Sequence, residues 1–206
     1  MSKLPAVSFD VDGTLANFLE TFLGHIMEVS GKVIDWSEVT KIPIEGNGLV
    51  THEEVERAWD LFNHTPFSWA MLTPFKDVNF NLLDTYMEVG EFLGYIVTRR
   101  PDLKTPYNIS DARYLTLSWL QKYGLRNLSG IVIDYGKDRA DVLSNLGIDA
   151  HLDDDPKVFE RLIDRGINAY LINRPWNKHV DTDKRVYTVT EFLDKAVFRE
   201  ACNANI

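Results

Sequence analysis

Apolar residues along this chain fall into short runs broken by polar turns. Ala6-Val7-Ser8-Phe9, Tyr95-Ile96-Val97, Ile131-Val132-Ile133 and Ala150-His151-Leu152 are too short for helices and bulky enough for buried strands. Strands are therefore expected near 6–10, 94–98, 130–134, 149–152 and 168–172. Between them the pattern turns amphipathic at the helical period, notably from Ser110 to Tyr123 and from Asp138 to Leu146. Gly124 and Gly147 stand where helix C-caps want glycine. Strand alternating with helix predicts an α/β fold: a doubly wound, mostly parallel sheet. The stretch from about Ala16 to Met87 is too long for a simple crossover. It is expected to be a small helical cap inserted after the first strand, giving a core of 1–15 and 88–206 and a cap of 16–87.

The cap is dense in aromatics: Phe18, Phe22, Trp36, Trp59, Phe62, Phe67, Trp69 and Phe75. Most are expected to pack with one another. Phe18 follows the first strand closely enough to stand near the mouth of a site at that strand's end. Composition narrows the picture further. At 206 residues and 45% hydrophobic the chain can bury a substantial core, and no apolar run is long enough to span a membrane. A cytoplasmic enzyme is expected. The net charge of −9 disfavours broad binding of nucleic acid, so the expected partner is a small molecule. The oligomeric state stays open, a homodimer included. Cys202, the single cysteine, is remote from every motif, and His25, His52 and His64 show no metal-ligand spacing.

The chemistry sits at the strand ends. Asp10-Val11-Asp12-Gly13-Thr14 places two carboxylates at the end of the first strand, where ligands bind in open α/β sheets. One aspartate can attack phosphorus while its neighbour handles the proton. Asp153-Asp154-Asp155 is a second acidic strand end, and adjacent aspartates there repel unless a cation lies among them. Oxygen-only ligands point to Mg²⁺. Thr98, Arg99, Arg100 and Lys137, at further strand ends, offer a hydroxyl, two guanidinium groups and an ammonium for a phosphate.

In this order the motifs resemble those of the haloacid-dehalogenase-like phosphohydrolase superfamily: Asp10 to Thr14, the strand ending in Thr98, Lys137, and Leu152-Asp153-Asp154. The resemblance implies Asp10 as nucleophile and Asp12 as general acid and base. It implies Thr98 and Lys137 as phosphoryl holders, and Mg²⁺ on the Asp10 side chain, the Asp12 carbonyl and Asp154, with Asp153 the alternative. A narrower similarity to the cytosolic-type 5′(3′)-deoxyribonucleotidases rests on the Asp10-to-Phe18 run, on Pro66-Phe67-Ser68-Trp69 with Leu72-Thr73-Pro74-Phe75, and on Asn173-Arg174-Pro175-Trp176-Asn177. It implies hydrolysis of deoxynucleoside 5′-monophosphates, with Phe18, Trp69 and Phe75 lining a base pocket. Arg99-Arg100-Pro101-Asp102 and the Lys104-to-Arg113 segment also resemble the phosphatase half of viral polynucleotide kinase-phosphatases. A 3′-phosphorylated nucleic-acid end is therefore one alternative substrate, a small metabolite phosphate another, and a non-catalytic binding role the third.

Overall fold

The computed structural model of the protein describes residues 3–65, 68–100, 103–104, 109–110 and 112–198. Pro66, Phe67, Pro101, Asp102, Cys202 and, within the Lys104-to-Arg113 segment, residues 105–108 and 111 lie outside the described residues. Six parallel strands form one sheet in the order β5-β2-β1-β6-β7-β8. They are β1 (Ala6–Phe9), β2 (Leu93–Thr98), β5 (Gly130–Ile133), β6 (Ala150–Asp153), β7 (Ala169–Ile172) and β8 (Arg185–Val186). A separate two-residue pair, β3 (Leu103–Lys104) and β4 (Ile109–Ser110), is antiparallel.

Parallel strands are buried on both faces, which explains the unbroken apolar runs. Successive residues serve opposite layers. Val97 and Leu171 pack with Ala140, Leu143, Phe159 and Leu162, from α5 (Arg139–Leu146) and α6 (Pro156–Asp164). Phe9, Ile96 and Tyr170 face the other layer, where Phe192 of α7 (Val189–Leu193) meets Phe9 and Tyr170 edge-on. α3 (Phe80–Glu88) and α4 (Ala112–Lys122) complete that layer, with Phe80 edge-on to Trp119. Local signals set the helix ends. Asp138 caps α5 through the Ala140 N–H, and Gly147, at φ 65°, closes it in the left-handed region.

The segment between β1 and β2 forms α1 (Phe18–Ser30), α2 (His52–His64), short 3₁₀ turns and α3. α1 and α2 pack on each other through Phe18, Phe22, Trp59 and Phe62. α3 lies on α4 in the sheet's helical layer, so α1, α2 and the turns near them are what project beyond it. They join the sheet through a narrow neck, in which Asn17 N–H donates to Thr73 O at 2.8 Å and Phe75 N–H to Leu15 O at 3.0 Å. No helix among the described residues is long and apolar enough to cross a membrane.

Candidate active site

β1 has β2 on one side and β6 on the other, and the chain leaves it in one direction before returning in the other. Ligands bind at such a switch point, beyond the strands' carboxyl ends. Asp10 follows β1, Thr98 ends β2, Asp134 follows β5 and Asp153 ends β6, so four separate strand ends converge there. The Asp10-to-Thr14 turn is tight: the N–H groups of Leu15 and Ala16 both donate to Val11 O. Gly13 has φ 94°, and a Cβ on it would collide with the Asp154 carboxylate, so glycine is required on both counts.

One oxygen from each of Asp10, Asp153 and Asp154 lies within 4.8 Å of the others, and all three residues are buried. Asp10 and Asp153 share Arg139, whose Nη1 is 2.8 Å from Asp10 Oδ1 and 2.7 Å from Asp153 Oδ2. The other edge of this guanidinium holds Asp134, with Nη2 at 3.1 Å and Nε at 3.2 Å. Burial opposes charge on Arg139, but Asp10, Asp153 and Asp134 outweigh it and raise its pKa. Asp153 also accepts from the Asp155 N–H and from His151 Nε2. Burial holds the His151 ring neutral, so the nitrogen facing Ser8, at 2.7 Å, accepts the Ser8 hydroxyl proton.

The three carboxylates are electrostatically unequal. Burial pushes Asp153 up, but Arg139 and His151 outweigh it and bring it to about 2. Burial and the neighbouring Asp153 charge push Asp154 up to about 7. Asp10 is raised well above the carboxylate range, by burial and by Asp153, Asp154 and Asp12, against the pull of Arg139. Two of the three thus lack sufficient positive charge nearby. An all-oxygen, buried, charge-deficient set fits a hard divalent cation such as Mg²⁺. Asp10, Asp153 and Asp154 would hold it, so both acids weighed for the fourth motif belong to the group.

Not every residue expected at the site is there. Lys137 does not line the cavity, and among the described residues no carboxylate pairs with its ammonium; its backbone carbonyl accepts from Arg99 Nη2 instead. The Asp134 turn, closed by Lys137 N–H to Asp134 O, carries the chain past this position, and Arg139 supplies the cation on Asp10. Arg100 is no phosphate contact: its guanidinium is spent on both oxygens of Asp12, with Nε at 2.7 Å, and lies over the Trp69 ring. Trp69 and Phe75 are buried packing residues away from the cavity wall; Trp69 stacks on Phe18, and Phe75 lies under Arg174 at 3.6 Å. Arg99 does line the cavity, with its Nε 2.9 Å from Asp134. Thr98 lines it too, and its buried hydroxyl has no hydrogen-bond partner among the described residues.

The cavity above these groups measures about 1120 Å³ and lies between the strand ends and α1, α2 and the Thr40-to-Glu45 stretch. On the cap side its aromatic lining is Phe18, Phe22 and Trp59, with Phe18 stacked on Trp59 at 5.4 Å between centroids, and on the strand-end side it is Trp176. Arg139 carries one signal in the sequence: a cation in the first turn of a helix opposes the helix dipole, which favours an anion beside it. His151, inside an apolar strand run, and Trp59, one cap aromatic among many, carried none.

The sequence matches no protein-family model, and no curated protein sequence matches it. Solved structures do. A haloacid dehalogenase-like hydrolase from Streptococcus pneumoniae superposes with a TM-score of 0.63 at 13% identity, over 95% of this chain and 99% of its own. A putative phosphoglycolate phosphatase from Lactobacillus delbrueckii subsp. bulgaricus gives a TM-score of 0.63, 13% identity and the same coverages. A predicted phosphatase from Clostridium acetobutylicum gives 0.61 at 15% identity, over 94% of this chain and 98% of its own. At such identities the likeness is one of fold, and the chain has the haloacid-dehalogenase-like α/β fold. The narrower similarity to deoxyribonucleotidases is carried by sequence motifs alone.

Proposed function

We propose that the protein is a divalent-metal-dependent phosphomonoesterase that forms an aspartyl-phosphate on Asp10, and that its substrates are nucleoside monophosphates, deoxynucleotides first. The observation that carries the reading is Asp10 itself. It lies among two further buried carboxylates, one oxygen tied to Arg139, at the floor of a cavity that also holds the Thr98 hydroxyl, unpartnered among the described residues. Bound Mg²⁺ would offset the mutual repulsion of nucleophile and phosphate and neutralise charge developing on the phosphoryl oxygens. The Thr98 hydroxyl donates to a phosphoryl oxygen, and Arg99 adds charge at the cavity wall. Arg139 fixes Asp10 Oδ1 and leaves Oδ2 to attack. Asp12 is the general acid for the leaving oxygen and the base for water in the second half-reaction. Both its oxygens lie on Arg100 here, so proton transfer requires that pair to open.

The substrate class rests on the aromatic wall. Phe18 and Trp59, both half-buried, offer flat apolar surface suited to a nucleobase, with the buried Phe22 packed against them, and the small acid named for one structural neighbour would not use it. The test is phosphate release, with Mg²⁺ and with EDTA, from 5′- and 3′-nucleoside monophosphates of both sugars, sugar phosphates, phosphoglycolate and a 3′-phosphorylated oligonucleotide. Metal-dependent release that peaks on deoxynucleoside 5′-monophosphates is expected. A peak elsewhere in the panel moves the substrate and keeps the chemistry, whereas release that persists in EDTA refutes the metal-dependent reading.

A further inference from the structure

The segment Arg174-Pro175-Trp176-Asn177 follows β7 and forms a single 3₁₀ turn over Pro175–Asn177. All three of its polar side chains reach the candidate site. Trp176 Nε1 donates to Asp154 Oδ2 at 2.9 Å, and Asn177 Nδ2 donates to the Asp154 backbone carbonyl at 2.9 Å. Arg174 donates to Gly13 O from Nε and to Thr14 O from Nη2, both at 2.8 Å. Thr14 closes the ring by donating its hydroxyl to Asp154 Oδ1 at 3.0 Å. The Asp154 carboxylate is thus gripped at one oxygen by an indole N–H and at the other by a hydroxyl, against the face of Gly13 where no side chain fits.

From this geometry we propose that Trp176 is a positioning residue for the metal: its indole N–H fixes the Asp154 carboxylate in the orientation that binds a divalent cation. The inference rests on the reading of Asp10, Asp153 and Asp154 as the metal group. Indole N–H can donate and cannot accept, so it holds the carboxylate oxygen opposite it in one orientation. The ring is buried, and a phenylalanine there would keep most of the volume and lose only the donor. Asp153 is served in the same way by His151 Nε2 at 3.1 Å, so each of these two neighbouring acids is oriented by a ring nitrogen. The Arg174 bonds to Gly13 and Thr14 tie this turn to the one that carries Asp10, which fixes Asp154 relative to the nucleophile.

The test is Mg²⁺ affinity by isothermal titration calorimetry on the folded proteins. Partners that orient a metal ligand typically account for about 10–100-fold in affinity. Trp176→Phe is expected to weaken Mg²⁺ by that factor, and to add nothing once Asp154 is replaced by alanine, because the indole acts through that carboxylate. Unchanged affinity in Trp176→Phe, or an equal loss in the Asp154→Ala background, overturns the proposal. A second measurement needs no variant. In the ¹⁵N-labelled wild-type protein, one of the five tryptophan indole N–H signals should move with added Mg²⁺ and saturate at the calorimetric affinity. If none moves while Mg²⁺ binds, the indole does not serve the metal. If the wild-type protein binds no Mg²⁺, the metal reading fails and the proposal falls with it.

Discussion

Arg139 and Lys137 lie two positions apart, and only one can be the cation that neutralises Asp10. Replacing Arg139 by methionine keeps a long apolar stem and removes a guanidinium that joins Asp10 and Asp153 at Nη1 and Asp134 at Nη2 and Nε. Arg139 is 7% exposed, and Asp10, Asp134 and Asp153 are 6%, 0% and 1% exposed, so water cannot replace the lost partner. Leaving one member of a buried ion pair uncompensated costs about 3–5 kcal/mol. In a protein of this size each kcal/mol lowers the melting temperature by about 2–4 °C, so Arg139→Met should melt about 6–20 °C lower in EDTA. Added Mg²⁺ should recover part of the loss, because it takes over charge compensation for Asp10 and Asp153 and leaves Asp134 with Arg99 as its one remaining guanidinium partner among the described residues. Arg139→Lys should fall between, since one ammonium cannot occupy the separate positions that three guanidinium nitrogens do. Lys137→Met should shift melting by no more than about 2 °C, the ordinary range for a surface change. Thermal melts by circular dichroism, with and without Mg²⁺, decide the matter. An Arg139→Met protein that melts with the parent, or a Lys137→Met protein that falls as far as Arg139→Met, would refute the assignment.

The remaining predictions concern the reaction and its metal. Asp10→Asn should abolish phosphate release while preserving the fold by circular dichroism, because an amide is no nucleophile for phosphorus; residual turnover near wild type would remove Asp10 from that role. Phe18→Ala should raise KM for nucleoside monophosphates more than for p-nitrophenyl phosphate, and equal losses on both would mark the ring as packing alone. Asp154, raised to about 7, and Asp10, also raised, bind protons more tightly in the folded than in the unfolded state. Metal-free stability should therefore increase as pH falls from 8 to 5, by roughly 3 kcal/mol for Asp154 alone. Asp153 has the opposite sign: held at about 2, it contributes stability above the ordinary carboxylate range that is lost as pH falls toward 2. Melts from pH 8 to 5 should show the gain in EDTA and lose most of it in saturating Mg²⁺, which competes with the protons; a flat EDTA profile would contradict the burial argument.

What the sequence disclosed divides along a physical line. The strands were legible because a parallel strand buried on both faces leaves an unbroken apolar run, and the acids were legible because Asp10 and Asp153 sit where such runs stop. The cation partners were not. Lys137 and Arg139 flank the same helix start, and composition prefers neither; what separates them is which side of the first turn of α5 faces β1 and β6, a matter of tertiary packing. The same limit applies to Trp69 and Phe75, which do not line the cavity. A cap of interlocking aromatics has an inside and a wall, and which rings reach the wall, Phe18 and Trp59 with Phe22 behind them, is selected by how α1 leans on α2. At Arg100 a guanidinium at a strand end suggests a phosphate ligand, yet Asp12, 88 residues earlier in the chain, takes both its Nε and its Nη2. A buried charge or ring is committed to the partner that folding delivers, and for Arg100 and Phe75 that partner, Asp12 or Arg174, lies far off in sequence.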